Sequence, residues 1–162
     1  MSTPSRIAVM HGNVYKSVYC HNDGYLEYMG DLLLKHYDSS KANNLIALGD
    51  LSILDTQIGE KHEFSPYTDS NDRFEQIRVI ADYSAARDAG WSTFYARDRD
   101  ETDCEFQTDL TFAEFLATVE SCGAEYYYIM KDEVWYTGCP ASGVKLIPLA
   151  TALAQLNETE SA

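Results

Sequence analysis

Residues 17–54 change from a strand-like to a helix-like pattern within one short stretch, and this change limits what the chain can fold into. From Val14 to Cys20, successive side chains fall into two alternating sets, as on the two faces of a strand. From Gly24 to Tyr37, apolar side chains recur at spacings of three and four, which is typical of an amphipathic helix. The sequence therefore predicts an α+β fold, with a small mixed or antiparallel sheet and helices packed against it. The residues of the helical stripe are Leu26, Met29, Leu33 and Tyr37.

The segments that flank this helix contain residues that typically begin or end helices. In the turn Asn22-Asp23-Gly24, either the Asn or the Asp can cap a helix, and the Gly suits a tight turn. Ser39-Ser40 can cap a second helix over residues 41–48, and Gly49 stands where a left-handed stop belongs.

The rest of the chain predicts further strands and helices. Residues 6–10 and 14–20 suit a hairpin, residues 55–72 a loop, and residues 91–97 a strand. A helix over residues 72–89 is expected to gather its apolar residues on one face. Those residues are Phe74, Ile77, Ala81 and Ala85.

A second group of patterns covers the C-terminal third. Thr111 and Glu114 form a capping box before a helix that ends near Cys122. Residues 125–130 and 134–137 suit a hairpin, residues 144–147 a short strand, and Pro148 the first turn of a helix to about Leu156. We expect one domain over residues 1–157, followed by a disordered tail over residues 158–162.

Length and composition restrict the class of protein. With 162 residues, the chain is long enough for one core, and it contains no apolar run long enough to cross a membrane. The N-terminus lacks the apolar core of a secretory signal, so we expect a cytoplasmic protein that does not bind a membrane. The four cysteines contain no C-x-x-C pair, which favours reduced packing thiols and predicts no structural metal site and no cofactor.

Acidic residues are concentrated in one part of the chain. The net charge is −14, of which −1 belongs to residues 1–54 and −13 to residues 55–162. Such a field repels nucleic acids and attracts basic protein surfaces, so direct nucleic-acid binding is disfavoured. An acidic surface also keeps proteins soluble without any partner, and this simpler interpretation remains open. The oligomeric state cannot be inferred from these patterns.

The densest acidic segment is residues 98–109, which contains six acids and one base and is expected to be a solvated loop. Spaced carboxylates can replace backbone phosphates at the Lys and Arg side chains of a nucleic-acid-binding protein. We therefore take its acids as the candidate partner-binding residues. They are Asp98, Asp100, Glu101, Asp103, Glu105 and Asp109.

An alternative set of residues suits a small ligand. His21 and Asp23 supply a base and a carboxylate, while Arg97 and Arg99 supply an anion clamp, as in phosphoryl-transfer or nucleotide sites. No phosphate-binding loop or hydrolase motif accompanies them. The simpler interpretation is that Asp23 caps a helix, His21 bonds a loop carbonyl and Arg97 pairs with a nearby carboxylate.

The aromatic hairpin offers a similar choice. Adjacent residues of a strand point to opposite faces, so Tyr126, Tyr127 and Tyr128 must place aromatic rings on both faces. Either helices cover both faces, which we favour, or one face presents Tyr and Trp side chains to a partner.

Several of these segments resemble a family of small uncharacterised proteins encoded by phages and prophages. The resemblance covers about three quarters of the chain and implies a phage or mobile-element origin, but no known reaction. Relatives tend to have Gly-Glu where this chain has Asp100-Glu101, which implies a more acidic loop. The segments that resemble the family are Tyr19-x-His21-x-Asp23-Gly24-Tyr25, residues 45–52, residues 95–99 and the hairpin from Glu125 to Tyr136.

Two functions of different class follow from these observations. The first is a non-enzymatic inhibitor that occupies the basic surface of a host nucleic-acid-binding defence complex, of the anti-CRISPR or anti-restriction type, as a DNA mimic. The second is a nucleotide sponge or enzyme that uses His21, Asp23, Arg97 and Arg99.

Overall fold

An eight-stranded mixed sheet forms the centre of the computed structural model, which describes residues 2–140 and 146–161. The order of the strands is β4-β3-β2-β1-β6-β7-β8, and β5 pairs with β2 beside this path. The predicted α+β class is confirmed. The strands are β1 (Ser5–His11), β2 (Val14–Cys20), β3 (Leu51–Ile53), β4 (Thr93–Phe94), β5 (Gln107–Asp109), β6 (Tyr126–Lys131), β7 (Val134–Gly138) and β8 (Ile147–Pro148).

Two hairpins that the sequence predicts make up the middle of the sheet. Strands β1 and β2 pair antiparallel along their whole length, and so do β6 and β7. The two hairpins join through β1 and β6, which run parallel. The sheet is therefore mixed, since β2 and β3 also pair in parallel, where Cys20 lies opposite Leu51.

Helices cover both faces of this sheet. The helices are a π-helical turn over Leu26–Gly30, α1 (Asp31–His36), α2 (Ser39–Ala47), α3 (Arg73–Asp88), α4 (Tyr95–Arg99), α5 (Phe112–Ser121) and α6 (Leu149–Ser161). Met29, Leu33 and Leu45 pack on one face together with Tyr128, while Phe115 of α5 packs on the other face together with Tyr127. Both tyrosines are fully buried, so both faces of the aromatic hairpin belong to the core.

The first helix begins differently from the prediction. Neither Asn22 nor Asp23 caps it, because the N-cap residue is Tyr25 and the Asn22 amide donates to Ser52 instead. Helix α2 is capped by Asp38, whose carboxylate accepts from the Lys41 amide. The predicted cap, Ser39-Ser40, lies inside this helix.

Helix α3 begins and ends as predicted but buries the opposite face. The Asp72 carboxylate accepts from the Phe74 amide at the N-terminus of the helix. Val79 and Ala86 are buried, whereas Phe74 and Ile77 are 85% and 56% exposed. The apolar period therefore identified the helix correctly and its buried face wrongly.

Residues 91–109 also differ from the prediction of a strand followed by a loop. After the two residues of β4, the chain turns into α4, because the Asp98 carboxylate accepts from the Phe94 amide. Gln107–Asp109 then pair with β2 as an additional edge strand. Neither change has a periodic signal: the pairing of β5 depends on a strand that is distant in sequence, and the turn into α4 depends on a single side-chain bond between residues four apart.

The C-terminal region agrees with the prediction in part. Thr111 caps α5 by accepting from the Glu114 amide, as the capping box predicts. Helix α6 follows Pro148 but continues to Ser161, past the predicted end near Leu156 and into the tail that was expected to be disordered. The strand predicted over 144–147 falls mostly outside the described residues, and Ile147–Pro148 form β8.

Two further findings concern chemistry and topology. Within the described ranges, Cys20, Cys104 and Cys122 form no disulfide, and burial raises the pKa of the Cys20 thiol to about 12. Across residues 2–140 and 146–161, none of the helices has the length and apolar character needed to span a bilayer.

Gly49 and Gly123 allow a test of how the loop after α4 is held. Both have positive φ angles, +86° and +73°, but a Cβ on Gly49 would lie 2.3 Å from the Cys104 carbonyl oxygen, whereas Gly123 has no neighbour within 4 Å. We expect Gly123→Ala to cost about 1–2 kcal/mol of unfolding free energy from the left-handed backbone. Gly49→Ala should cost roughly 1–3 kcal/mol more, because the loop must move. Urea denaturation of the two variants measures the difference, and equal losses would contradict the close contact.

Candidate functional site

Asp50 is the point where three segments that are far apart in sequence meet. Its carboxylate accepts a hydrogen bond of 2.8 Å from the Tyr19 amide at the end of β2. Its own amide donates to the Cys104 carbonyl at 2.8 Å, and its carbonyl accepts from the Tyr95 amide at 3.2 Å. One residue therefore joins strand β2, the loop after α4 and the start of α4.

The surroundings of Asp50 raise the pKa of its carboxyl group. Burial is the main cause, and the negative charge of Glu105 adds to it. The Tyr19 amide and the positive charge of Arg6 act in the opposite direction. The Asp50 carboxylate is thus partly desolvated, and the Tyr19 amide holds it by a hydrogen bond.

A group of polar side chains surrounds Tyr19, and we call it the tyrosine cluster: Tyr19, His21, Ser52, Tyr95 and Arg99. The Tyr19 hydroxyl lies 2.8 Å from His21 Nδ1, and burial followed by the proximity of Tyr95 raises the pKa of Tyr19. Burial also raises the pKa of Tyr95, and the nearby Ser52 side chain acts in the opposite direction. The Arg99 guanidinium lies 5.2 Å from the centre of the Tyr95 ring.

By contrast, all the N–H donors of Arg97 form hydrogen bonds within the protein. Its five N–H groups donate to both carboxylate oxygens of Asp98 and to the carbonyls of Ile58, Gly59 and Ser92, at 2.9–3.1 Å. The Asp98 carboxylate accepts, in addition, from the amides of His62 and Phe94. No donor of Arg97 remains for a ligand, so the simpler interpretation of Arg97 is the correct one.

The four residues of the predicted ligand set therefore do not act together. His21 and Arg99 belong to the tyrosine cluster, Arg97 is saturated, and Asp23 lies exposed in the turn after β2 with a φ of 57°. The Arg99 side chain forms an ion pair of 2.5 Å with Glu101 and lies 4.2 Å from the centre of the Phe64 ring.

Sequence reasoning missed a buried polar network next to Arg97. His62 is 5% exposed; its Nδ1 lies 2.8 Å from the Glu60 carbonyl oxygen and its Nε2 lies 2.9 Å from the Thr93 hydroxyl. Because a carbonyl can only accept, Nδ1 must carry a proton. Arg87 donates to the same hydroxyl. The network fastens the loop before α3 to β4, and its burial excludes a substrate.

The six candidate partner-binding residues lie in three different places. Asp98 is 7% exposed and paired with Arg97, so it cannot meet a partner, and this part of the prediction is wrong. Asp109 lies in β5, where the Thr118 hydroxyl donates to its carboxylate at 3.1 Å. The other four lie on the loop that joins α4 to β5. They are Asp100, Glu101, Asp103 and Glu105.

These four acids continue into a longer acidic segment, defined here as residues 100–125. Residues 100–130 contain eight acids and neither Lys nor Arg. The segment comprises the loop after α4, strand β5, helix α5 and the turn to β6. Four of its acids are exposed and have side chains that form neither an ion pair nor a hydrogen bond with any residue in the described part of the chain, whereas the exposed Glu114 accepts from the Leu110 amide. The four are Asp103, Glu105, Glu120 and Glu125.

A groove of about 300 Å³ lies between β5 and α5 of this segment. Gln107, Ser121 and Cys122 are among the residues that line it. Arg6 also lines the groove; this residue is 2% exposed, and its guanidinium donates to the Ser17 hydroxyl at 2.8 Å. Arg6 lies opposite Tyr19 in the β1–β2 pair, although the residues of the tyrosine cluster do not line the groove.

Other features of the surface do not coincide with the predicted sites. A groove of about 440 Å³ lies between the end of α1 and strand β7, and none of the predicted site residues lines it. Within residues 2–140 and 146–161, no three His, Cys, Asp or Glu side chains come together in a way that could hold a metal ion.

Comparisons with known proteins add no functional assignment. No family model, no curated protein and no solved structure is significantly similar to this chain.

The contrast between Arg97 and Arg99 can be tested by substitution. We expect Arg97→Ala to lower the free energy of unfolding by about 3–5 kcal/mol, because it leaves the buried Asp98 carboxylate without its cation. The matched variant Arg99→Ala removes an exposed ion pair and should cost about 1 kcal/mol or less. Urea unfolding followed by circular dichroism measures both values, and similar losses would show that Arg97 is not the structural residue of the two.

Proposed function

We propose that this protein is an acidic interaction protein that occupies the basic, nucleic-acid-binding surface of a bacterial defence complex, of the anti-CRISPR or anti-restriction type. The observation that carries the proposal is the acidic segment, where exposed carboxylates lie on a loop, on helix α5 and on the turn to β6, and where the sequence from residue 100 to residue 130 contains no Lys or Arg. Carboxylates arranged in this way can take the positions of phosphates at Lys and Arg side chains.

The rigidity of the segment also supports this function. The loop after α4 is bonded to Asp50 through the Cys104 carbonyl, and α5 is anchored by Phe115 and Val119, which are fully buried. A surface that is ordered before binding loses little conformational entropy on association. The carboxylates are therefore presented at fixed spacing.

The choice of partner rests on charge and on the family resemblance. A net charge of −14 disfavours nucleic acid and anionic membranes as direct partners and favours a basic protein surface. The resemblance to phage-encoded proteins makes a nucleic-acid-binding defence complex of the bacterial host the partner that we propose.

The proposal can be tested with a variant that neutralises the four unpaired acids of the segment: Asp103→Asn, Glu105→Gln, Glu120→Gln and Glu125→Gln. The immobilised protein is incubated with nuclease-treated bacterial lysate, and the retained proteins are identified by mass spectrometry. We expect the wild type to retain nucleic-acid-binding proteins that added duplex DNA and salt release. The variant should retain them about tenfold less well or worse, since rim charges set long-range attraction.

A control variant has the same change in charge at exposed acids elsewhere: Glu27→Gln, Glu60→Gln, Asp69→Asn and Asp132→Asn. It should retain the same proteins as the wild type. Equal losses in both variants would mean that only net charge matters, and no loss in either would contradict the proposal.

A small-ligand site is a second candidate, and the tyrosine cluster favours it. Two pairs from segments far apart in sequence belong to this cluster: Tyr19 contacts His21, Tyr95 contacts Arg99, and Tyr95 is close enough to Tyr19 to raise its pKa. Phenol, imidazole and guanidinium groups suit a small anion or a nucleotide. The revised site omits Arg97 and Asp23.

Titration of the isotope-labelled protein with cyclic AMP, ATP and inorganic phosphate tests this candidate by NMR. Binding predicts saturable shifts at the amides of His21 and Tyr95, weakened about tenfold by His21→Gln or Arg99→Gln, which each remove one polar contact. Absence of saturable shifts with all three probes would contradict a site for these anions.

A further inference from the structure

Helix α3 presents an apolar stripe to the surface instead of burying it. Phe74 is 85% exposed, Ile77 is 56% and Ile80 is 51%. The inner side of the helix buries only Val79 and Ala86. Exposed apolar residues that follow one helical face commonly mark a surface that another protein covers.

The residues along the middle of this outer face are spaced as in two helices that pack side by side. Successive positions are separated by three and then four residues, and we call this row of residues the seam. All of them are exposed, and the large side chains occupy the N-terminal half while the small ones occupy the C-terminal half. The positions are Phe74, Ile77, Ala81, Ser84 and Asp88.

This distribution is complementary to itself when two copies run antiparallel. A two-fold axis near Ile80 and Ala81 sets Ile77 of each copy over Ser84 of the other, Ile80 over Ala81, and Phe74 over Arg87, whose guanidinium is bonded to Thr93 of its own copy. At the two central levels a large side chain then meets a small one, as close packing requires. A parallel pair would instead oppose Phe74 to Phe74 and leave the small residues facing one another.

The charges of the helix fit the same arrangement. The axis brings Arg73 at the N-terminus of one helix toward Asp88 at the C-terminus of the other. Neither residue forms an ion pair with any other residue in the described ranges. Helix α3 carries three arginines and three acids, so the helix itself is neutral in a protein of net charge −14. Two acidic copies can therefore approach here without the repulsion that other faces would cause.

We infer that a second copy of this chain covers the outer face of α3, forming a symmetric dimer through an antiparallel pair of α3 helices.

Sedimentation equilibrium of the full chain tests the dimer. We expect the mass to rise with concentration from 18.2 kDa to twice that value. Ile77→Asp should keep the protein monomeric over the same range, because it buries a charge in the seam. A wild type that stays monomeric, or an Ile77→Asp variant that dimerises as the wild type does, would overturn the inference.

Charge exchange tests the antiparallel geometry and separates a second copy from any other partner. Arg73→Glu and Asp88→Arg should each weaken the homodimer about tenfold, since each places like charges at both ends of the seam. Mixing the two variants should restore dimers of one of each, because both end pairs then have opposite charges. If the mixture dimerises no better than either variant alone, the antiparallel arrangement is wrong.

Discussion

The hydrogen bonds of Asp50 are the constraint on which the candidate sites depend. They tie the end of β2, the loop after α4 and the start of α4 to one residue. An amide left without an acceptor in a partly buried position costs about 1–3 kcal/mol, so three such bonds at one residue are a substantial part of the stability of a small domain. The acidic segment begins in the same loop, and the tyrosine cluster surrounds the same strand end. Both proposed functions therefore require this junction.

Neighbouring charged residues near this junction have opposite roles, and their hydrogen bonds explain why. Arg97 and Asp98 satisfy each other and the surrounding backbone, so they hold the loop before α3 against β4. Arg99 and Asp100, the next two residues, are exposed at the surface. A run of charges in a sequence can thus contain both a structural ion pair and an interaction surface. Only the contacts distinguish them, because burial turns a carboxylate from a binding group into a fixed acceptor.

Local patterns predicted the local parts of the structure well. The hairpins of β1–β2 and β6–β7, the capping box of α5 and the stop at Gly49 depend on neighbouring residues, and each was predicted. Features that depend on distant partners, or on a single side-chain contact, were not predicted. The pairing of β5 with β2, the turn into α4 at Asp98 and the buried His62 network bring together residues that are far apart in sequence or lack a periodic signal. The buried face of α3 was wrong for a related reason: its apolar stripe faces away from the core, so the period alone could not show which side packs inward.

Amide hydrogen exchange in the variant Asp50→Ala tests most directly whether Asp50 joins these segments as a unit. The substitution removes only the acceptor of the Tyr19 amide, while the acceptors of the Asp50 and Tyr95 amides are backbone carbonyls that remain in place. The account predicts that all three amides, slow to exchange in the wild type, become faster together in the variant. If the amides at positions 50 and 95 keep their wild-type protection while that of Tyr19 is lost, the junction does not hold the loop and the helix together.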